Sequence, residues 1–318
     1  MASTIFPQTW LRQRVWQGMP TAYVEAPPAV EANGEALSTV VLIHGFGACK
    51  EHWRHTVPHL QRHHRVLALD LIGFGDSAKP RSRLDSEFED GQSWRYGIGS
   101  WGQQVHDLVV AHGQGPVQLI GNSIGGVVAL SAAMRLEQSG HPASQVVLID
   151  CAQRALDDRR LAEQPPLRRL GRPLLKRLVR QRWLTNSLYR TLVNPALVRR
   201  VLLQAYPTGS NVDDELVELL LRPARQPGAA EAFRGFINLF NDSIAPDFLE
   251  VLKTPVAMLW GERDPWEPIA IAETWTRFAC VTALERLPEL GHCPHDENPA
   301  LVNEHLSVVL QRGARPAC

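Results

Sequence analysis

The chain has 318 residues and a formal net charge of zero, so its composition gives no general reason to expect a nucleic-acid partner. The length fits one structural unit with an insertion better than two independent domains. Five cysteines without a Cys-x-x-Cys pair indicate a reducing compartment, so we expect a cytoplasmic protein. No apolar run reaches the roughly 18 residues of a membrane span, and we expect neither a transmembrane segment nor a signal peptide.

The first predicted elements are strands. Residues 14–26 predict a hairpin that turns at residues 17–20, and residues 39–43 and 66–69 predict buried strands. Between these two strands, residues 50–64 carry five histidines at helical spacing. We interpret this segment as an exposed helix rather than a metal site, because no carboxylate partner accompanies the histidines.

The segment 117–130 changes from a β-branched apolar strand to a helix of small residues across a Gly-x-Ser-x-Gly tract centred on Ser123. A strand, a tight turn and a helix around such a tract predict a nucleophile elbow. The glycines at positions 121 and 125 would let the turn form, and the hydroxyl of Ser123 would stand at the start of the helix. Free N–H groups there favour an oxyanion.

A nucleophilic serine needs a base, and the base needs an orienting acid. Residues 255–260 predict a buried strand with Asp264 in the loop that follows, and residues 281–287 predict a strand followed by His292. Catalytic groups in parallel sheets gather at the carboxyl ends of strands. The order serine, acid, histidine therefore predicts that His292 takes the Ser123 proton and that Asp264 orients His292.

Two of these assignments have alternatives in the sequence. His295 could replace His292 as the base, although it lies further into a segment that begins a helix. Asp150 could replace Asp264 as the acid, since it also follows a predicted strand, at residues 146–149. Glu262 is interpreted as a solvated loop charge.

The predicted strand 39–43 runs into a glycine-containing loop that supplies the next part of the site. The elbow design takes one oxyanion donor from the residue after the nucleophile, here the N–H of Ile124, and one from this early loop. We assign the second donor to the N–H of Phe46. His44, just before the glycine, is interpreted as a structural histidine that holds the loop in shape.

Together these tracts resemble the α/β-hydrolases. The resemblance spans residues 14–312 and implies a mostly parallel central sheet flanked by helices, with an inserted helical cap. Residues 264–266 and 291–297 are similar to a narrower group, the pheophytinases and chlorophyll dephytylases of plants and cyanobacteria. That similarity implies cleavage of the phytyl ester of chlorophyll or pheophytin, and a location that is cytoplasmic or peripheral on a thylakoid or other membrane.

The core is expected to comprise residues 1–151 and 249–318, and the cap residues 152–248. Residues 154–200 contain 13 Lys or Arg against 3 Asp or Glu. Pro173 is expected in the first turn of a helix whose leucines share one face and whose basic side chains share the other. This pattern is typical of a segment that lies on an anionic membrane. The alternative is a cap helix that packs its leucines over the site and solvates its arginines, and the two can hold together.

These residues predict a serine carboxylic-ester hydrolase that acts on a lipophilic ester through an acyl-enzyme and needs no metal or organic cofactor. Trp53 and Trp266 are candidate walls of the substrate pocket. Lipases, thioesterases and carbon–carbon-bond hydrolases share the same three groups and stay open, whereas epoxide hydrolases and haloalkane dehalogenases need an aspartate where Ser123 stands. An alternative of another class is a ligand-sensing receptor that retains the triad.

Overall fold

A mostly parallel sheet of eight strands forms the centre of the protein in the computed structural model, which describes residues 5–29, 37–163 and 166–313. Two further strands, β5 and β6, pair only with each other. The ten strands in chain order are β1 (Leu11–Trp16), β2 (Met19–Ala26), β3 (Thr39–Ile43), β4 (Arg65–Leu69), β5 (Arg81–Ser82), β6 (Ser93–Trp94), β7 (Val117–Asn122), β8 (Gln145–Ile149), β9 (Val256–Gly261) and β10 (Val281–Leu287).

The large sheet has the strand order β1-β2-β4-β3-β7-β8-β9-β10. Strands β1 and β2 are antiparallel to their neighbours, and the other pairs are parallel. The hairpin predicted at the N-terminus is β1–β2, which turns through Gln17 and Gly18, both with positive φ. Every residue of β3 and β8 is buried, because helices cover both faces of a parallel sheet. This explains why these strands appear in the sequence as continuous apolar runs.

Helices and short 3-10 turns connect the strands. The helices are α1 (Thr56–Leu60), α2 (Ile98–His112), α3 (Ile124–Gln138), α4 (Pro166–Arg180), α5 (Arg182–Leu192), α6 (Pro195–Ala205), α7 (Asp214–Ala224), α8 (Ala229–Ile237), α9 (Ala245–Leu249), α10 (Ile269–Trp275), α11 (Pro294–Glu297) and α12 (Pro299–Gly313). None of the helices in the described part of the chain has both the length and the apolarity needed to cross a bilayer.

Two apolar layers enclose the sheet, because successive side chains of a strand point to opposite faces. In β3, Val41 and Ile43 join the layer formed with α2 and α3. Val40 and Leu42 join the opposite layer, formed with α1 and α12. Both layers leave the carboxyl ends of the parallel strands open, and the loops that follow these ends converge there.

The insertion between β8 and β9 contains helices α4 to α8, which form the cap. Two expectations about it need correction. Helix α9 packs on α3, and its Phe248 and Leu249 belong to the core, so the cap ends before residue 245 rather than at residue 248. Helix α4 begins at Pro166, and Pro173 therefore lies inside the helix and not in its first turn. Pro166 occupies the first turn of this helix, the position that was predicted for Pro173.

Candidate active site

The turn between β7 and α3 places Ser123 in a strained conformation, with φ +55° and ψ −125°. Its N–H group donates to the carbonyl of Ile149 at 3.0 Å, which anchors the turn to β8. The neighbouring glycines have no room for a side chain. A Cβ on Gly121 would lie 2.2 Å from the Gly125 carbonyl oxygen, and one on Gly125 would lie 2.3 Å from the Ile43 carbonyl oxygen. The close approach of three backbone segments thus explains the Gly-x-Ser-x-Gly tract.

Replacing Gly125 with alanine is expected to destabilise the protein by about 3 kcal/mol or more, because rigid backbone atoms of β3 would have to move. Urea unfolding measures the change. Gly99→Ala in α2 is the matched control, since the nearest atom to its Cβ would be the flexible Arg135 side chain at 3.7 Å. The free energy of unfolding of Gly99→Ala should be up to about 1 kcal/mol higher than that of the wild type, because alanine has the higher helix propensity. Equal stability of the two variants would contradict the argument.

His292 and Asp264 form a buried pair below the elbow. The Nδ1 atom of His292 lies 2.7 Å from Oδ2 of Asp264, and the other carboxylate oxygen accepts the N–H groups of Trp266 at 2.8 Å and Glu267 at 3.1 Å. Since a carboxylate only accepts, Nδ1 carries the proton and Nε2 is left as the basic atom. Ser123 and His292 line the same cavity, although no hydrogen bond joins these two described side chains. Such bonds are often long before substrate binds.

Several hydrogen bonds hold the loop that carries His292 in place. The side-chain amide of Asn122, next to the nucleophile, donates to the His292 carbonyl at 2.9 Å. The His292 N–H donates to the carbonyl of Ala205 in the cap at 2.8 Å. A carboxylate oxygen of Glu297 accepts the N–H of Gly291 at 2.8 Å. Sequence reasoning missed this contact of Asn122, and its position beside Ser123 was the one available signal.

The alternative base, His295, lies outside the cavity lining. It is buried, and its ring centroid is 4.2 Å from that of Trp53 and 4.8 Å from that of His52. Burial is the main cause that lowers its pKa well below the usual range, so the ring is neutral. Trp53 is also fully buried, in the core layer with Val57 and Leu306. The expectation that Trp53 forms a pocket wall is therefore wrong: its indole fills the core instead.

The alternative acid, Asp150, is buried next to the pair. Its Oδ1 atom accepts the N–H of Gly261 at 2.9 Å. Burial is the main cause that raises the pKa of Asp150 well above its usual range, and the neighbouring charge of Asp264 raises it further. A raised pKa disfavours the anionic form, and it is the Asp264 carboxylate that lies 2.7 Å from Nδ1 of His292. Glu262 is exposed and lies 3.4 Å from Arg286, in keeping with a solvated loop charge.

Two backbone N–H groups are available beside Ser123 for an oxyanion. Within the described chain, neither the N–H of Phe46 nor that of Ile124 donates a hydrogen bond to the protein. The Phe46 ring stacks on Phe236 of the cap, with 3.9 Å between centroids. His44 holds the loop: its Nδ1–H donates to the Gly45 carbonyl at 2.7 Å, and its Nε2 accepts the N–H of Leu71 at 3.1 Å. Burial lowers the pKa of His44, which keeps it neutral.

A cavity of about 550 Å³ lies between the cap and the elbow. Trp266 stands on its wall, with its ring 4.8 Å from that of His292 and at 68° to it. Most of the cap side of the lining is apolar; it includes Leu192, Val193, Leu197, Val198, Leu202 and Leu221. Such a lining excludes water from the reacting groups and favours an apolar ligand.

Glu267 is an acidic group in the lining that sequence reasoning did not identify. One carboxylate oxygen accepts the N–H of Gln153 at 2.8 Å. Burial is the main cause that raises the pKa of Glu267 to about 7, and the charge of Asp264 raises it further. A glutamate after a Pro-Trp pair carries no sequence signal for this, because the burial that raises the pKa arises only in the folded protein.

The raised pKa of Glu267 predicts a pH-dependent contribution to stability. The unfolded chain releases this proton near pH 4.3 and the folded chain near pH 7. The folded state therefore binds more protons in that window, and its free energy of unfolding falls as pH rises through it. Glutamine does not titrate, so Glu267→Gln lacks this loss. Its free energy of unfolding, relative to that of the wild type, should therefore be up to about 3 kcal/mol higher at pH 8 than at pH 4.5.

Urea unfolding at both pH values tests this expectation. Glu262→Gln, in the exposed part of the same loop, should follow the wild type at both pH values. A Glu267→Gln variant whose stability relative to the wild type is the same at pH 4.5 and pH 8 would contradict the raised pKa.

Among the residues that the structure describes, one group of carboxylates could hold a metal ion, where Glu51, Asp70 and Asp76 converge. The ammonium group of Lys50 lies among them, at 2.7, 2.9 and 2.7 Å from the three carboxylates. The cluster is thus an ion-pair network with its own cation. The histidines of residues 50–64 point to separate partners: His52 to Tyr206, His59 to Ser307 and His64 to Ser38.

A serine on a strained strand–helix turn, a buried His–Asp pair and two free N–H groups beside an apolar cavity define a serine hydrolase site on an α/β fold. Residues 40–305 match the model of the Alpha/beta hydrolase family, and the chain belongs to that family. The resemblance inferred from the sequence is confirmed at this level.

Individual relatives agree with the class. The chain is 27% identical over 270 residues to the uncharacterized hydrolase YugF of Bacillus subtilis (strain 168), covering 85% of this chain and 88% of that protein. It is 24% identical over 291 residues to the chloroplastic pheophytinase of Arabidopsis thaliana, covering 83% and 59%. The solved structure of CarC, a serine hydrolase involved in carbazole degradation, matches with a TM-score of 0.70 at 19% identity over 95% of this chain and 98% of that one. The protein is a hydrolase, and its similarity to pheophytinase is distant.

Proposed function

We propose that the protein is a serine carboxylic-ester hydrolase for a lipophilic ester, and that the phytyl ester of chlorophyll or pheophytin is the leading candidate. The observation that carries the proposal is the apolar cavity that opens directly onto Ser123 and His292. An ester with a long apolar chain loses unfavourable water contact when that chain enters such a cavity.

The reaction follows from the roles of the residues. The Ser123 hydroxyl attacks the ester carbonyl as His292 Nε2 accepts its proton, and the N–H groups of Phe46 and Ile124 hold the oxyanion. Asp264 keeps the imidazole oriented and stabilises its charge. His292 then protonates the leaving alcohol. A water molecule, deprotonated by His292, attacks the acyl-enzyme, releases the acid and restores Ser123.

The choice of a phytyl ester is supported by the similarity of residues 264–266 and 291–297 to the dephytylating group and by the distant pheophytinase relationship. Phytol is a long branched hydrocarbon alcohol, which suits the leucine- and valine-rich cap side of the cavity. On this proposal phytol is the leaving group and the tetrapyrrole acid forms the acyl-enzyme.

The experiment compares p-nitrophenyl esters of increasing chain length with detergent-dispersed pheophytin a and chlorophyll a, and measures phytol release. We expect turnover to improve with chain length and phytol to be released from at least one pigment. Cleavage of long-chain esters without phytol release would exclude the pigments as substrates and leave the assignment as a lipophilic esterase. No ester turnover would overturn the proposal and favour a carbon–carbon-bond hydrolase. Very slow turnover with a ligand-induced thermal shift would instead indicate a sensor.

A further inference from the structure

Helix α4 of the cap directs two basic side chains toward the protein and several leucines toward the surface, unlike an ordinary surface helix. Arg172 and Lys176, one helical turn apart, point inward, and Arg172 is only 7% exposed. Both reach Asp158, with 3.4 Å for Arg172, and both lie over the ring of Phe240, at 4.4 and 5.2 Å from its centroid. Two basic side chains of this helix therefore face the protein, whereas Arg177 and Arg180 are exposed.

The leucines of α4 point outward. Leu170, Leu174 and Leu178 are spaced by four residues and share one side of the helix, where they are 80%, 63% and 43% exposed. Trp183, in the first turn of α5, is 71% exposed. We call these four side chains, together with Leu175, the outer cap face. The alternative in which α4 packs its leucines over the site is wrong, because Leu170, Leu174, Leu175 and Leu178 are exposed and none of these four lines the cavity.

The segment around this face has an excess of basic residues, some of which pair with acidic residues elsewhere in the protein, as Arg182 does with Glu231. Of the three acidic residues among the 13 basic ones in residues 154–200, Asp157 is already paired with Arg154 and Arg159, and Asp158 with Arg172 and Lys176. Arg177, on the exposed part of α4, makes no ion pair with a described residue. An occupant of the outer cap face must thus offer both an apolar phase and negative charge.

We propose that the outer cap face docks on the surface of an anionic lipid bilayer. The acyl region would take the leucines and Trp183, and lipid phosphates would face Arg177 and the neighbouring basic side chains. A tryptophan at the edge of an apolar stripe is typical of the membrane interface. Burial of the leucines in lipid removes the exposed apolar area that folding leaves in water.

Docking through the outer cap face would bring the cavity close to the lipid surface. Helix α5 carries Trp183 on the outer cap face and Tyr189 and Leu192 in the cavity lining. A docked cap therefore holds the cavity within one helix thickness of the lipid in which a lipophilic ester dissolves. This last step rests on the proposed function, whereas docking itself does not.

Flotation of the full chain with vesicles tests docking without any ester. We expect the wild type to float with phosphatidylcholine–phosphatidylglycerol vesicles at low salt, and to float less with pure phosphatidylcholine or at high salt. Leu174→Glu should weaken binding at least about tenfold, because it removes a leucine worth more than 1.4 kcal/mol when buried. Arg177→Glu should weaken binding to the anionic vesicles alone.

Val251→Glu is the matched control, since Val251 is 61% exposed and lies outside the cap; it should float as the wild type does. Hydrolysis of a short, soluble ester should be equal in all variants, which separates docking from folding and from the esterase proposal. Wild type that stays with the protein fraction at low salt would overturn the inference. Equal flotation of Leu174→Glu and the wild type would also overturn it, and a dimer lost in that variant would assign the face to a second copy of the chain.

Discussion

Ser123→Ala is expected to lower kcat for ester hydrolysis on the order of 10⁶-fold, the size found when a triad nucleophile is removed. The loss follows because His292 then has no hydroxyl to activate. The fold should be retained, since alanine occupies less space and the Ser123 hydroxyl makes no hydrogen bond to the described protein. Steady-state hydrolysis of a p-nitrophenyl ester, with circular dichroism as a check on folding, measures both.

Ser131→Ala is the control for this variant, because Ser131 is a buried serine of the same helix, α3, and does not line the cavity. It should retain wild-type kcat within a few-fold. More than a trace of activity in Ser123→Ala, at equal folding, would mean that another group attacks the ester.

Asp264→Asn is expected to lower kcat about 10⁴-fold, because an amide cannot enforce the Nδ1–H form of the imidazole or stabilise its positive charge. The loss should appear in kcat more than in KM, since Asp264 acts through His292 and does not contact the ester. Stopped assays over a range of ester concentrations separate the two quantities.

Asp150→Asn is the matched variant, because it makes the same substitution in the other buried aspartate of the site. Burial raises the pKa of Asp150 and so disfavours its anion, and an asparagine oxygen can still accept the N–H of Gly261. We expect kcat within about tenfold of the wild type, a change below about 1.4 kcal/mol. A large loss in Asp150→Asn with a small one in Asp264→Asn would reverse the assignment of the acid.

The parts of the site that were predictable from sequence are those whose signals are local. The elbow needs glycines where the backbone of β7, α3 and β3 meets, and this requirement is visible as a five-residue tract. The buried strands appear as apolar runs, and their ends determine where Asp264 and His292 lie. The positions of the three groups follow from these features and from chain order.

The parts that could not be predicted depend on contacts between distant segments. Trp53 and Trp266 are the same residue type, yet one fills the core and the other borders the cavity. The pKa of Glu267 depends on burial in the folded protein and on the charge of Asp264. The inward side of α4 is selected by Asp158 and Phe240, which lie in other segments. An amphipathic pattern shows that a helix has two sides and leaves open which one the protein covers.

The central claim, that Ser123 is an activated nucleophile, is tested most directly by covalent labelling with an alkyl fluorophosphonate followed by peptide mass spectrometry. We expect one adduct per chain, located on Ser123, and loss of ester hydrolysis in step with labelling. Asp264→Asn should be labelled more slowly. An adduct on a different residue, or hydrolysis that continues after Ser123 is fully labelled, would contradict the claim.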